Sequence, residues 1–502
     1  MYIGFLNPQG NFDKNDSYIT EHPDFGGQLV YVKEVALALG RKGNKVDILT
    51  RQIIDPDWPE FAEPFDAYSE VENVRIVRLP AGPPGFLRKE LLWSHLVQDW
   101  VPNILNFYQQ QGDSPDAMTA HYSDGGLCGV LIEDEIGLPF TFTAHSLGAQ
   151  KMDKLQVNAD NLEEMDDYYK FRYRLLVERL SMNRSALNIT NTRQERFQQY
   201  THQAYRQAVN VNDDTRFAAI PPGVDPAMFS AKSRAYNEEA TYELILKRLA
   251  RDISESRRDL PVILASSRLA PKKNLLGLVQ AFAGSQKLQE LANLVMITAG
   301  MDNPLQEEAK DEQTEQMVLD PIREVIREHN LWGKISAFGV PDQPALAATY
   351  RFLAKRRSVF ALTSLFEPFG LGPLEAAAAG LPVVVTKNGG ITESLQQPER
   401  DYGLLVDPED PTDIARGLEQ LLSNPQQWDD FAQSAHKHVL ENHTWEATAQ
   451  EYLNHIEQIL SLPLTRTQQE LLPIHPYFLD PQPANEVPLA ELSRLYFGEG
   501  VS

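Results

Sequence analysis

The sequence contains a single cysteine, Cys128, among 502 residues. It allows no intrachain disulfide and no paired-cysteine metal knuckle, which fits a reducing compartment. No apolar run approaches the ~18 residues of a membrane span. The N-terminus, MYIGFLNPQG, enters a strand-like run at once, without the basic stretch and long apolar segment of a secretory leader. A cytoplasmic location is therefore expected, with no membrane partner. Positive charge is also scarce: 46 Lys and Arg stand against 70 Asp and Glu, a formal net charge of −24. Such a field repels nucleic acid and anionic lipid, so a phosphorylated ligand requires a local basic cluster. Four catalytic signatures are missing: GxGxxG after the first strand, GxxxxGK[ST], HExxH and GxSxG. Dehydrogenase, P-loop kinase, zincin and α/β-hydrolase readings each lose their main support.

What is present is ordinary globular composition, 42% apolar and 23% charged, in a chain long enough for several domains. Apolar runs predict strands over 2–6, 46–49, 75–79, 139–143 and 187–190. A helix after Gly26-Gly27 carries Leu29, Val32, Ala36 and Leu39 near the 3.6 period. Pro221-Pro222-Gly223 reads as a hinge. Beyond it, strands are predicted over 262–266, 294–298, 335–338, 358–362, 382–386 and 403–406. Apolar strands alternating with amphipathic helices imply an α/β fold of two Rossmann-like, doubly wound parallel-sheet domains, with a ligand cleft between them. The expected domains are 1–215, completed by the C-terminal helix and tail from about 446 to 502, and 216–445. Residues beyond about 462 read as an irregular tail. The acid-rich stretch 307–315 reads as a solvated loop or helix face.

The most specific string is Ser364-Leu-Phe-Glu367-Pro-Phe369-Gly370-Leu371-Gly372-Pro373-Leu-Glu375, at a strand-to-helix junction. Free amides at Gly370, Leu371 and Gly372 suit an anion above the helix N-terminus. Glu367 and Glu375 can each accept bonds from vicinal hydroxyls, so a diphosphate between a ribose and a hexose fits. The two glutamates alone fit a capped helix equally well. A second string, Ser266-Ser267-Arg268-Leu269-Ala-Pro-Lys272-Lys273-Asn274, follows another apolar strand. Arg268 and Lys273 would converge there on a leaving diphosphate; alone, the loop could be an exposed basic turn.

Together these strings resemble the donor half of retaining glycosyltransferases of family 4, which have the GT-B fold. FLNPQGNF, EHPDFGGQLVYVKEVALAL, HYSDGG, FTAHSLGAQK and PPGVD narrow the resemblance to the sucrose-phosphate synthase family, over about residues 2 to 450. That family moves glucose from a nucleotide sugar to fructose 6-phosphate. The resemblance implies catalytic roles for His145, Arg268, Lys273 and Glu367. It implies donor contacts from Gly27, Arg268, Lys273, Glu367, Phe369, Gly370, Leu371, Gly372 and Glu375, with Val340 in the loop that meets the base. Acceptor contacts are expected from Gly26, Gln28, Lys89, Tyr122, Ser146, Lys151, Arg172 and Arg174. Arg172 and Arg174 lie two apart on one helix and cannot face the same way, and Arg174 matches the family's arginine better.

No metal or other cofactor is expected, since cationic side chains would neutralise the diphosphate. UDP-glucose or ADP-glucose and fructose 6-phosphate are the expected small-molecule partners, with no nucleic acid. The chain lacks the DxDx[TV] motif of a fused phosphatase, so a separate sucrose-phosphate phosphatase acting downstream is implied. The long N-terminal extension of the plant enzymes, and phosphorylation control located there, are not expected. Two other readings remain open at this point: a sucrose synthase acting on fructose, or a non-catalytic nucleotide-sugar-binding protein. A transferase using another donor sugar, such as a mannosyl one, is a third.

Overall fold

The computed structural model describes residues 1–17, 26–234, 238–298, 301–306, 314–461 and 471–498. The chain divides into two units, Met1–Pro221 with Thr448–Ser502, and Pro222–Ala447.

The first unit is built on β1 (Tyr2–Leu6), β2 (Lys45–Arg51), β3 (Phe65–Ala67), β4 (Val74–Leu79), β5 (Ala117–His121), β6 (Phe140–Thr143), β7 (Leu187–Thr190) and β8 (Phe217–Ala219). They form one sheet in the order β3-β4-β2-β1-β5-β6-β7-β8. Only the β3–β4 pair is antiparallel. β1, β5, β6 and β7 are buried along their whole length, as parallel strands covered on both faces must be. Ile3 pairs with Val46 on one side and Ala117 on the other, so the winding direction reverses between β1 and β5. Connections leaving the carboxyl ends of such a strand pair diverge and leave room for a ligand. The helix that follows β5, Tyr122–Ile136, is pressed onto the end of β1: a Cβ on Gly125 would lie 2.4 Å from the Leu6 carbonyl oxygen.

Strands β3, β5 and β8 were not anticipated. β5 reads AMTAH, with one β-branched residue and no alternation, and is a strand because both neighbours pair with it. β8 pairs with β7, which carries the first unit to Pro221, past the expected boundary at 215. The tail is also more ordered than expected. Its described part, 471–498, ends in the helix Leu489–Phe497. Phe478, Val487 and Leu492 are fully buried there, and Tyr477 stacks on Tyr173 with centroids 4.5 Å apart.

The second unit contains β9 (Val262–Ser266), β10 (Asn293–Ile297), β11 (Ile335–Phe338), β12 (Val359–Leu362), β13 (Val383–Thr386), a two-residue antiparallel pair β14 and β15 (Gln396–Gln397, Arg400–Asp401), and β16 (Leu404–Val406). Its main sheet is wholly parallel, in the order β11-β10-β9-β12-β13-β16. Alternate residues of β9 serve two cores. Ile263 and Ala265 join Leu278, Phe282 and Ile322, while Val262 and Leu264 join Leu374, Leu381 and Val385. Winding reverses between β9 and β12, and the two strings singled out in the sequence leave those two strands. The chain enters and leaves this unit side by side, with the Val224 N–H donating to the His443 carbonyl at 2.7 Å. The helix Trp445–Ser461 then carries Tyr452 into the first unit. Its hydroxyl lies 3.2 Å from the Tyr31 hydroxyl and 3.1 Å from Thr143 Oγ1. The 307–315 stretch falls outside the described residues up to 313, and the helix Thr314–Glu328 begins within it.

Candidate active site

In the first unit, the groups expected to bind a ligand gather at the carboxyl ends of β1, β5 and β6. The helix Gly27–Arg41 has Gly26 as its N-cap and no side-chain cap, so its first amides are open. A Cβ at Gly26 or Gly27 would meet none of the described residues within 4 Å. Packing against the described residues therefore does not require glycine there. Gln28 Nε2 donates to Asn7 Oδ1 at 3.0 Å, tying this turn to the loop after β1. Residues 18–25, which include the whole of EHPDF, lie outside the described residues.

His145 follows β6 and is partly exposed, with a left-handed φ of 55°. Tyr122, which follows β5, has φ 65°. Non-glycine residues in this region cost free energy and concentrate at functional sites. His145 Nε2 lies 2.9 Å from His121 Nδ1, and His121 Nε2 lies 3.0 Å from Thr119 Oγ1. Tyr31 packs edge-on against the His145 ring, and Phe5 stacks on His121. Burial pushes the His145 imidazole down to about 3 and that of His121 well below its ordinary value. Both rings are thus neutral, and His145 acts as a hydrogen-bonding group, not as a cation.

Arg174 is nearly inaccessible and serves several partners. Its Nε donates to Glu178 Oε1 at 2.8 Å, one Nη donates to the Ser146 carbonyl at 2.7 Å, and the guanidinium lies 4.6 Å from the Tyr122 ring centre. Glu178 also accepts from the Gly148 N–H and the Tyr205 hydroxyl, so one buried carboxylate orients both Arg174 and the helix Gly148–Lys154. Lys89, Tyr122, Tyr169 and Arg174 line one small cavity. Lys89 also stands 3.4 Å from Glu90, and Lys151 lies 4.0 Å above the Tyr169 ring, at the margin of the same cluster. Arg51 bonds the carbonyls of Ala81 and Gly85 and so fixes the turn that leads to Lys89. Arg172 is placed otherwise. It pairs with the buried Asp166 and donates to the Val487 carbonyl at 3.1 Å, which ties helix Phe171–Arg184 to the tail. In this arrangement its hydrogen bonds go to Asp166 and to the tail, and not to the partners of Arg174.

In the second unit, the two strings meet. Lys273 Nζ bonds Glu367 Oε2 at 2.7 Å, and Ser364 Oγ donates to the same oxygen at 3.1 Å. Among the described residues this leaves Glu367 Oε1 to accept from a hydroxyl, and two of the three Lys273 N–H groups for an anion. Arg268 is exposed and makes no hydrogen bond or ion pair with any described residue. Lys273 and Arg268 therefore do not share one protein partner, and Lys273 converges on a carboxylate first. Gly370 caps helix Leu371–Ala378 with φ 91°, a conformation that selects glycine, and no side chain caps the helix amides. A Cβ on Gly372 would meet only the Phe360 ring edge, at 3.7 Å, an ordinary contact. Phe369 is buried beneath this turn, and Leu371 is partly exposed at its first position. Glu375 is partly exposed one turn into the helix, and desolvation raises its carboxyl to about 7. Val340 is partly exposed just after β11, where the Gly339 N–H bonds the Met301 carbonyl at 2.8 Å.

The sequence reading missed His121 and Glu178. Arg174 and Glu178 stand four apart on a helix, a pairing signal available from spacing alone. His121 was hidden with its strand.

Among the described residues, no group of three His, Cys, Asp or Glu side chains is placed to hold a metal ion, and no helix is long and apolar enough to cross a membrane. Residues 247–438 match the profile of glycosyl transferases group 1, and residues 26–211 match that of the glycosyl transferase 4-like domain. A probable sucrose-phosphate synthase of Thermosipho melanesiensis is 40% identical over 465 residues, covering 91% of this chain and 97% of its own. The sucrose-phosphate synthase of Spinacia oleracea is 32% identical over 517 residues, and the chain spans about half of that plant relative, 47% of its length. Among solved structures, the sucrose-phosphate synthase of Thermosynechococcus elongatus aligns with TM-score 0.60 at 23% identity over 92% of this chain and 99% of that one. The catalytic domain of Arabidopsis thaliana starch synthase IV, bound to ADP and acarbose, aligns with TM-score 0.59 at 14% identity over 92% and 99% of the two chains. These two likenesses concern the fold, which is GT-B. With the identity to the Thermosipho relative running over nearly all of both chains, this glycosyltransferase belongs to the sucrose-phosphate synthase family.

Proposed function

We propose that the chain is a retaining glucosyltransferase that moves glucose from a nucleotide-glucose to fructose 6-phosphate, giving sucrose 6-phosphate and a nucleoside diphosphate. UDP-glucose is the first donor to test and ADP-glucose the second. The observation that carries the reading is the first unit's small cavity, where Lys89, Tyr122 and Arg174 come together in a protein of strongly negative net charge. A neutral acceptor has no need of such a cluster; a phosphomonoester has.

In this reading the second unit holds the donor. Glu375 accepts from ribose hydroxyls and Glu367 from the hexose. The amides of Leu371 and Gly372, with Lys273 and Arg268, face the diphosphate, and Val340 meets the base. As the bond from the sugar anomeric carbon to the diphosphate breaks, its electron pair passes to the β-phosphate oxygen, where these donors stabilise the growing charge. The fructose hydroxyl forms the new bond on the same face and passes its proton to that oxygen. No protein base is then required, and the cations supply the neutralisation for which a metal would otherwise serve. His145, held neutral, bonds a hexose hydroxyl and orients the ring. The acceptor lies along Gly26, Gly27 and Gln28, with Ser146 and Lys151 flanking its phosphate. The product is consumed by a separate phosphomonoester hydrolase.

The test is nucleoside diphosphate release from UDP-glucose with fructose 6-phosphate against fructose, repeated with ADP-glucose. Strong preference for the phosphorylated sugar is expected. Equal or better use of fructose would move the assignment to a sucrose synthase and make Lys151 and Arg174 structural.

A further inference from the structure

Asp124 belongs to none of the interactions described so far. It lies in the first turn of helix Tyr122–Ile136 and is 2% exposed. Its Oδ1 accepts from the Gly125 N–H at 3.2 Å, whereas its Oδ2 is buried without a hydrogen-bond partner among the described residues. The hydroxyl of neighbouring Ser123 is also buried and unpartnered. Both residues line the cavity that Lys89, Tyr122, Tyr169 and Arg174 share. A buried, unsatisfied carboxyl oxygen is costly, and in a cavity its natural complement is a ligand.

We propose that Asp124 is a further acceptor-site residue: its Oδ2 carries the carboxyl proton and donates a hydrogen bond to the acceptor's phosphomonoester. The proposal rests on the acceptor reading given above. Charge supports it. Each cation at the cavity already has a carboxylate, Lys89 beside Glu90 and Arg174 on Glu178. An ionised Asp124 would add another negative charge beside an incoming dianion, whereas a protonated one removes that charge and supplies a donor. The environment allows this. Burial is the dominant influence on Asp124 and raises its carboxyl to about 7, against the opposing pull of the Asp124 and Gly125 backbone N–H groups and, more weakly, of Lys89 and Arg174. The facing ionisable groups are Lys89 and Glu90 from one side, Arg174 and Glu178 from helix Phe171–Arg184, Tyr122 and Tyr169 at the wall, and Cys128 one turn below. Acceptor binding should then draw one proton onto Asp124.

The experiment measures KM for fructose 6-phosphate at saturating nucleotide-glucose between about pH 6.5 and about pH 8.5, for wild type and Asp124→Asn. If only the protonated carboxyl binds, the wild-type KM should rise about 25-fold over that range, and that of the variant should stay flat. The acceptor's own second ionisation, near pH 6, acts on both proteins alike. Calorimetric titration of wild type with fructose 6-phosphate in two buffers of different ionisation enthalpy should show proton uptake at about pH 7.5, independent of whether the variant folds. No proton uptake, or the same pH slope in both proteins, overturns the proposal. A KM raised more than about tenfold in the variant at the alkaline end also overturns it, because Asp124 would then be an ionised acceptor for a sugar hydroxyl. Donor turnover without any use of fructose 6-phosphate by wild type would instead defeat the acceptor reading, and this inference with it.

Discussion

Lys273→Ala separates chemistry from scaffolding in the donor half-site. Lys273 pairs with the largely buried Glu367 at 2.7 Å, and in the proposed reading its remaining N–H groups face the leaving diphosphate. Removing one donor of developing charge in a dry site costs on the order of 3 kcal/mol of transition-state stabilisation, roughly a hundredfold in kcat. Stranding the Glu367 carboxylate has a separate cost, borne by the folded state and only partly offset by Ser364 Oγ. The double variant Lys273→Ala/Glu367→Gln removes that stranded charge. If Lys273 acts mainly on the leaving group, kcat stays about a hundredfold down in both variants, while thermal stability recovers in the double variant. If it acts only by holding Glu367, the double variant behaves like Glu367→Gln alone. The assay is steady-state nucleoside diphosphate release at saturating acceptor, with thermal unfolding as the folding control. A folded Lys273→Ala protein with kcat within about twofold of wild type refutes the clamp.

Further outcomes follow from the same geometry. Glu375 must be ionised to accept from two vicinal hydroxyls, and its carboxyl sits at about 7, so KM for the nucleotide sugar should fall as pH rises through neutrality. Glu375→Gln should abolish that trend and raise KM roughly tenfold. His145 and His121 are held neutral, so the unfolded chain binds more protons below its ordinary histidine pKa near 6.5. Stability should then be lost as pH falls from about 6.5 toward 4, by up to about 1.4 kcal/mol per pH unit for each ring, readable from denaturation midpoints. Gly372→Ala should fold normally, because its methyl group would meet only the Phe360 ring, at an ordinary contact distance of 3.7 Å; Gly370→Ala should lose stability, by strain at φ 91° and a 2.8 Å approach to Ile391, and thermal unfolding separates the two. Activity should persist in excess chelator.

The donor half-site was the more legible because its residues are local. Arg268 and Lys273 share one loop, and the string from Ser364 to Glu375 is a single strand–turn–helix passage. Sequence order nearly fixes their spatial order once β9 and β12 are neighbours. Even there, the Lys273–Glu367 pair spans 94 residues and could not be read from spacing. Helix and strand assignments succeeded where apolar runs were long, as at β9 and β10. They failed at β5, where Ala, Met and His carry no strand signal and pairing alone decides. The tail failed for a related reason. Its Pro-rich composition reads as irregular, yet Tyr477, Phe478 and Val487 find apolar partners far away in the chain.

The acceptor half-site shows why basic residues are the hardest to assign. Lys89, Lys151, Arg172 and Arg174 come from separate segments, and in a sequence each is one more surface cation. What distinguishes the two arginines is the carboxylate each one meets. Arg174 is held by Glu178 with its guanidinium against Tyr122, so its charge is retained next to the cavity. Arg172, two residues away, meets Asp166 and the tail, so its charge is spent on holding helix and tail together. Exchanging Glu178 for Gln should therefore act on the acceptor more than on the donor. Arg174 would lose its counter-ion and its fixed orientation while keeping its place in the chain. KM for fructose 6-phosphate should rise about tenfold or more, and KM for the nucleotide sugar should change little. The isosteric Gln can still accept from the Gly148 N–H, which limits the damage to the fold. An equal rise in both constants would mean that Glu178 supports the first unit as a whole and does not aim Arg174.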